Sequence, residues 1–154
     1  MNIKTKQRSN PRRGIGTEEL AYVEMVRTAD LLSRRVAEVL KLEDLSAAQY
    51  NVLRILRGAS EGLACREIAD RMLTRDPDIT RLLDRLEKRR LIARSREAVD
   101  RRQVSTRITR KGLNTLARLD RPVKYAHRKQ LRHLGPKRLR SLLNLLRKAQ
   151  LRVI

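Results

Sequence analysis

The sequence is poor in several residue types, and each shortage excludes a class of protein. A single cysteine, Cys65, leaves no partner for an intrachain disulfide and cannot by itself build a cysteine-based metal site. Phenylalanine and tryptophan are absent and tyrosine occurs three times, which gives few rings on which single-stranded bases could stack. No segment approaches the roughly 18 consecutive apolar residues of a membrane span. We therefore expect a cytoplasmic protein with no membrane segment.

Motifs of catalysis and metal binding are missing as well. No nucleophile paired with a base, glycine-rich phosphate loop or pair of carboxylates stands out, so we expect no enzymatic activity and no cofactor. The two histidines, His127 and His133, have no cysteine or carboxylate in their segment that would complete a metal site.

Acidic residues are too few to balance the basic ones. The chain has 38 lysines and arginines against 17 aspartates and glutamates, which leaves a formal net charge of +21 at pH 7. This excess predicts a polyanionic partner. A merely solubilising surface is the alternative, so the positions of the charges must decide between the two.

The first part of the chain reads as a basic arm followed by a long helix. Residues 1–16 carry five positive charges and no acid, which predicts a flexible arm. A helix is predicted from Thr17 to about Lys41, and its apolar stripe includes Tyr22 and Val26.

Two further helices follow. Ser46 and Gln49 form a capping-box pattern, and the helix they start is predicted to close at Gly58, which can take a left-handed conformation. A short helix over residues 65–73 comes next.

The start of a fourth helix is predicted at residues 74–78, Thr-Arg-Asp-Pro-Asp. Proline disfavours helix at the residue before it and suits the first helical position, so Asp76 is predicted as the cap and Pro77 as the first residue. The helical period predicts an apolar inner face, and it leaves on the outer face Thr80, Arg81, Asp84, Arg85 and Lys88.

The pattern then changes to that of strands. Residues 91–96 and 104–108 alternate in polarity, and the charged segment 97–103 between them is predicted as the tip of a β-hairpin. A helical stretch follows from Thr109 to about His133, with a kink expected at Pro122, and a last helix starts at Gly135.

This order of elements, with two helices joined by a tight turn and then a basic hairpin, is typical of a winged helix-turn-helix. A helix fits the major groove of DNA, and a basic hairpin tip reaches the neighbouring backbone or the minor groove. Duplex contacts are predicted for Asp78, Thr80, Arg81, Arg85, Lys88, Arg96, Arg101 and Arg102. Asp100 is predicted to support the wing by holding Arg101 in one direction.

Each of these assignments has a plainer alternative. Arg81 and Arg85 could form a solvated, ion-paired helix face with Asp78 and Asp84. Thr80 could be a neutral surface residue, and the hairpin could serve only solubility.

Five motifs stand out in these segments: Leu45-Ser46-Ala47-Ala48-Gln49-Tyr50, Glu67-Ile68-Ala69, Ile79-Thr80-Arg81-Leu82-Leu83-Asp84-Arg85-Leu86-Glu87, Asp100-Arg101-Arg102 and Ile108-Thr109-Arg110-Lys111-Gly112. With these motifs the chain resembles the MarR family of multiple-antibiotic-resistance regulators. The resemblance covers nearly everything after the arm, and its most specific combination is the reading helix together with Asp-Arg-Arg in the wing.

The resemblance implies a homodimer whose first and last helices interlock, with repression relieved when a ligand or oxidant changes the separation of two reading lobes. It implies that Thr80, Arg81 and Arg85 enter the major groove and that Arg101 enters the minor groove. The chain departs from the family pattern at Arg90, where glycine is usual after the reading helix. A residue other than glycine there is expected to be mildly strained or to end the helix differently, which affects the angle of the wing.

Charge also favours a dimer, independently of the resemblance. Residues 121–154 hold eleven basic and no acidic residues, whereas residues 17–44 hold seven acidic and four basic ones. Such ends would pair well between two copies, although packing within one chain is the alternative. The predicted dimerisation residues are Tyr22, Val26, Leu139, Leu142, Leu143 and Leu146.

Together the patterns predict a mainly α fold with a small β-hairpin wing. It is divided into a basic arm (1–16), an N-terminal dimerisation helix (17–44), a winged helix-turn-helix DNA-binding lobe (45–111) and C-terminal dimerisation helices (112–154). The predicted function is a nucleoid-associated regulator, a repressor that binds a pseudo-palindromic operator in double-stranded DNA as a homodimer. The alternative is an architectural protein that coats DNA without sequence preference.

Two weaker signals complete the hypothesis. Cys65 lies at a predicted helix start beside Arg66, surroundings in which a redox role is conceivable, but a small residue packed on the core is the favoured interpretation. A small anionic or aromatic effector is suggested by the family and by the basic C-terminal helices, although three tyrosines supply few rings for its pocket.

Overall fold

The computed structural model describes residues 16–96 and 104–151. Most of these residues are helical, and none of the helices among them is long and apolar enough to cross a membrane. In chain order the elements are α1 (Thr17–Leu40), a 3₁₀ turn (Lys41–Glu43), α2 (Ala47–Arg57), β1 (Leu63–Ala64), α3 (Cys65–Arg71), α4 (Ile79–Lys88), β2 (Ile92–Arg96), β3 (Val104–Ile108), α5 (Arg110–Leu131), a second 3₁₀ turn (Arg132–Leu134) and α6 (Gly135–Gln150).

Helix α1 belongs to two separate units, which divide between Leu31 and Leu32. In the first unit Glu18 and Glu19 occupy the first helical turn, where carboxylates complement the helix dipole. Tyr22 in this unit is exposed. In the second unit the helix ends at Leu40, whose side chain is completely buried.

Helix α2 starts as the sequence predicts. The hydroxyl of Ser46 accepts a hydrogen bond from the backbone N–H of Gln49, and the side chain of Gln49 accepts one from the N–H of Ser46, so the capping box is confirmed. At the other end Gly58 does close the helix, but with a φ of −83°. The expected left-handed glycine is therefore wrong, because the chain leaves this helix through a right-handed turn.

The core of the second unit lies where α2, α3 and α4 meet the sheet and the first half of α5. Its apolar residues come from the inward faces of these elements, as the helical period predicts. The largest fully buried side chains are Leu40, Leu53, Leu56, Ile68, Leu83, Leu86, Leu91, Ile92, Leu116 and Leu119.

Three strands form an antiparallel sheet in the order β1-β3-β2. The predicted hairpin is confirmed by pairing of Ile92 with Ile108 and of Arg96 with Val104. In addition, Leu63 pairs with Thr106, so β1 joins the other edge of β3. The sequence does not reveal β1, because two residues are too few to show a strand period.

The last two helices differ in how many of their residues are buried. Helix α5 continues as a helix through Pro122 to Leu131, and its Leu119 and Val123 lie in the core. Helix α6 begins at Gly135, as predicted, and has no buried residue. Its leucines therefore remain available for contacts with another molecule.

Candidate nucleic-acid interface

Helix α4 starts two residues later than the sequence predicts. Its cap is Asp78, whose carboxylate accepts a hydrogen bond from the backbone N–H of Arg81 at 3.1 Å. Asp76 instead accepts from the N–H of Asp78 at 2.9 Å. Both aspartates suit a cap, but Asp76 is engaged by the turn before the helix, so its prediction as cap and that of Pro77 as first helical residue are wrong.

The two faces of α4 differ sharply in polarity. Leu82, Leu83 and Leu86 are buried against the core, while the predicted reading residues lie exposed on the opposite side. The exposed residues are Thr80, Arg81, Arg85 and Lys88. The core contacts of α4 therefore turn its basic face towards solvent.

A cluster of three charged residues joins α4 to the wing. The guanidinium of Arg94 in β2 donates to the carboxylates of Glu87, with Nε at 2.9 Å, and of Asp84, with Nη2 at 2.5 Å. The backbone N–H of Arg94 also donates to Glu87 at 3.2 Å. These hydrogen bonds from Arg94 hold the pKa of Glu87 below its ordinary value, and they raise the pKa of Arg94 itself.

This cluster changes the interpretation of Arg94 and Asp84. Arg94 is one of the basic residues of the wing, but both acids of α4 accept hydrogen bonds from it. In the alternative interpretation, Asp84 and Asp78 were the ion-pair partners of Arg81 and Arg85. Within the described part of the chain neither of these two arginines has an ion-pair partner. The ion-paired face is therefore not observed, and the two guanidiniums remain available.

A side chain of α2 holds the turn between α3 and α4 in place. The side-chain oxygen of Asn51 in α2 accepts a hydrogen bond from the backbone N–H of Leu73 at 2.8 Å. Sequence reasoning missed Asn51, because its partner lies 22 residues away and no local motif marks the pair. The bond fixes the approach of the chain to α4.

Arg90 adopts the left-handed conformation, with a φ of 57°. Its N–H donates to the carbonyl of Glu87, and the N–H of Leu91 donates to that of Leu86. This pair of bonds is a Schellman motif, in which the position of Arg90 usually belongs to glycine. The strain expected at Arg90 is therefore present, and the helix ends as it would with glycine.

The base of the wing is clamped to the start of α5. The hydroxyl of Thr109 caps α5 by accepting from the N–H of Gly112 and also donates to the carbonyl of Leu91 at 3.0 Å. Gly112 lies so close to β2 and β3 that a Cβ built on it would be 2.3 Å from the Leu91 oxygen. This contact explains why glycine stands at the end of the Ile-Thr-Arg-Lys-Gly motif.

The structure describes the two strands of the wing but not residues 97–103 between them. Arg96, a predicted DNA contact, is exposed at the last position of β2, and Arg107 is exposed on β3. The predicted contacts Arg101 and Arg102 and the supporting Asp100 lie outside the described residues.

Comparison with known proteins decides the family. Residues 43–103 match the model of the MarR family. The crystal structure of a MarR transcription factor from Planctomyces limnophilus is 40% identical, with a TM-score of 0.67, over 86% of this chain and 97% of the other. The chain belongs to the MarR family. This family consists of DNA-binding transcription regulators, so the predictions of a winged helix fold and of no enzymatic activity are confirmed.

Two other relatives extend the comparison. The repressor CouR, in a structure with a 23-mer DNA duplex, is 28% identical with a TM-score of 0.75 over 88% of this chain and 98% of its own. The regulator TtmR of Methylorubrum extorquens (strain PA1) is 35% identical over 92 residues, or 60% of this chain. The match spans about half of TtmR, 47% of its length.

The predicted dimerisation residues of this MarR-family chain are mostly solvent-accessible. Tyr22 and Val26 are exposed in the first unit, and Leu142, Leu143 and Leu146 are exposed in α6. Leu139 is half-buried. In one chain these apolar side chains are thus left partly uncovered.

Cys65 and the tyrosines lie in ordinary packing environments. Cys65 is the first residue of α3, half-buried, and packs against the core. Tyr50 is buried, with the guanidinium carbon of Arg54 at 5.8 Å from the centre of its ring. Tyr125 is exposed at the rim of a cavity of about 440 Å³.

The two cavities beside these tyrosines differ in size. The larger, of about 440 Å³, lies between the end of α1 and α5, and its lining includes Arg35, Val39 and Gln130. The amide oxygen of Gln130 is buried and accepts no hydrogen bond from the described residues. The smaller, of about 230 Å³, lies between α2 and α5 and is lined by Tyr50, Arg54, Arg57, Asp120, Val123, Lys124 and His127.

Proposed function

We propose that the chain is a homodimeric, sequence-specific repressor that reads a pseudo-palindromic operator with α4 in the major groove. The observation that carries this proposal is the solvent-facing basic side of α4. Arg81 and Arg85 are exposed there without an ion-pair partner among the described residues. An arginine free of internal partners can donate two parallel hydrogen bonds to guanine.

The geometry of α4 supports this role. Its ten residues span about 15 Å along the helix axis, and a helix about 10–12 Å in diameter fits a major groove about 12 Å wide. Arg81 and Arg85 are four residues apart and so project from one side of the helix. Asp78 carries a charge that phosphates repel, and its carboxylate caps the helix. In our proposal Asp78 therefore sets the start of α4 and does not bind phosphate itself.

Relatives support DNA as the partner. CouR, which is 28% identical over most of both chains, has been solved with a DNA duplex. The net charge of +21 agrees with a polyanionic partner. Binding to chromosomal DNA would place the protein in the cytoplasm at the nucleoid.

A homodimer is supported by the uncovered helix α6. Leu143 is 47% exposed and Leu145 65% exposed, although leucine normally packs in a core. The residues from 121 onwards carry only basic charge, whereas residues 17–44 are mainly acidic. Two copies could bury the leucines and pair these opposite charges.

An anionic effector is proposed for the smaller cavity. The Tyr50 ring offers an aromatic wall, and Arg54, Lys124 and His127 offer hydrogen-bond donors to an anionic group. The neighbouring Arg57 is already paired with Asp120 at 2.8 Å, so Arg54 and Lys124 are the cations we expect to bind the ligand.

The proposal is tested by selecting bound sequences from random duplexes and then measuring affinity for the selected and for random duplexes at two salt concentrations. We expect a ratio of specific to non-specific affinity of about 10³ or more. Arg85→Ala should reduce this ratio and relax the preference at one or two base positions. Arg101→Ala, in the wing, should weaken binding to all duplexes similarly. Arg66→Ala on α3 removes the same charge at an exposed position outside α4 and the wing, and it serves as the control.

Two outcomes would contradict the proposal. A ratio near one with a steep salt dependence would favour the coating role instead. Sedimentation that gives the mass of a single chain, both free and on DNA, would refute the homodimer. Equal small effects of Arg85→Ala and Arg101→Ala would refute the division of roles between helix and wing.

A further inference from the structure

The turn that leads from α1 into the lobe contacts two distant elements. We call it the junction turn and define it as residues 41–44, the 3₁₀ turn Lys41–Glu43 followed by Asp44. Asp44 has a φ of 50° and so lies in the left-handed region. The backbone therefore leaves α1 by a sharp bend, which directs two carbonyl groups and one carboxylate towards neighbouring helices.

The end of α4 is attached to this turn by Arg89. Its guanidinium donates from Nη1 to the carbonyl of Asp44 at 2.6 Å and from Nη2 to the carbonyl of Glu43 at 2.8 Å. The carbonyl of Arg89 in turn accepts from the ammonium of Lys111 in α5 at 2.9 Å. Arg89 thus links the last turn of α4 to the junction turn and to α5.

The carboxylate of Glu43 links the same turn to α5. Arg118 donates to it in a bidentate arrangement, from Nε at 2.6 Å and from Nη2 at 2.8 Å. The Glu43 side chain is only 19% exposed. Arg118 lowers the pKa of the Glu43 carboxyl most strongly, and the charge of Arg89 acts in the same direction. The junction turn therefore follows the end of α1 directly and contacts both the end of α4 and the middle of α5.

We propose that Arg89 is a positioning residue that fixes the direction of α4 against the junction turn, and that the Glu43–Arg118 pair couples the position of α5 to it. This inference rests on the proposed function, since the direction of α4 matters only if α4 reads DNA. Leucine packing holds α4 on the core, and the Arg94 cluster ties it to the wing. Arg89 adds a restraint at the end of the helix next to the wing.

The proposed coupling connects α5 to α4 through the junction turn. Helix α5 leads into α6, the proposed dimerisation helix, and contacts the junction turn through Arg118. A shift of α5 would therefore move Glu43, and the carbonyls of Glu43 and Asp44 would carry Arg89 and α4 with them. A change at the dimer interface would thus reach the reading helix by a short path of hydrogen bonds.

The test compares full-length variants by the ratio of specific to non-specific DNA affinity, with the melting temperature measured alongside. Arg89→Met keeps the aliphatic stem and removes the donors, and we expect it to lower the ratio about tenfold or more. Arg89→Lys, which can reach one carbonyl, should restore part of the ratio. Arg66→Met, a matched loss of charge at an exposed position of α3, should leave the ratio within about twofold.

A double-mutant cycle tests the coupling and does not depend on Arg89 variants being folded. Glu43→Gln and Arg118→Gln should each lower the ratio several-fold, and the double variant should lower it no further than the larger single effect. If the variants only melt earlier while the folded protein keeps the wild-type ratio, the role is structural and this inference is refuted. If the wild-type ratio is itself near one, the proposed function fails and this inference fails with it.

Discussion

Replacing Arg90 with glycine is expected to stabilise the protein. Arg90 holds a φ of 57°, and a residue with a Cβ in the left-handed conformation costs about 1–2 kcal/mol. Glycine removes this cost but loses about 0.5–1 kcal/mol through the greater entropy of the unfolded chain. The difference favours Arg90→Gly by about 0.5–1 kcal/mol, or a rise in Tm of about 1–4 °C for a chain of this size.

The assay is thermal unfolding followed by circular dichroism, supported by urea titration. Arg90→Ala is the matched control, because it removes the same side chain and charge but keeps a Cβ at the strained position. We expect Arg90→Gly to unfold at a higher temperature than both Arg90→Ala and the wild type. An equal Tm for the glycine and alanine variants would show that the left-handed backbone at the end of α4 carries no strain, and our reasoning would be refuted.

Two further predictions concern packing and pH. Gly112→Ala should lower the free energy of unfolding by about 1–3 kcal/mol, because its Cβ would lie 2.3 Å from the carbonyl oxygen of Leu91, whereas Gly58→Ala, whose Cβ meets nothing closer than 3.5 Å, should be neutral or slightly stabilising. Equal urea midpoints for the two variants would contradict this. The hydrogen bonds from Arg94 lower the pKa of Glu87, so the unfolded state takes up protons first and stability should fall as the pH drops below about the ordinary value of 4.5. Glu87→Gln should flatten this decline in thermal unfolding, and an unchanged slope would refute the contribution of Glu87.

The helices and their faces could be predicted because their signals are local. The capping box of Ser46 and Gln49 joins residues three apart, and the buried stripe of α4 repeats at the helical period. The unusual backbone of Arg90 was expected from the resemblance alone, since the family usually has glycine after the reading helix. Where two neighbouring residues offered the same chemistry, as Asp76 and Asp78 did, the local pattern could not choose between them.

The sequence by itself determined the order of elements, the basic charge and the outward face of the reading helix, since each depends on residues within a few positions of one another. Only the tertiary structure decided which charges are free to bind DNA, because arginine can pair with any acid that the fold brings near. Arg94 finds Asp84 ten residues away, Arg89 finds Asp44 at a separation of 45, and Arg118 finds Glu43 at 75. No period or motif encodes such separations, so packing alone paired Arg94 with the acids of α4 and Arg89 with the junction turn, and it left Arg81 and Arg85 facing solvent.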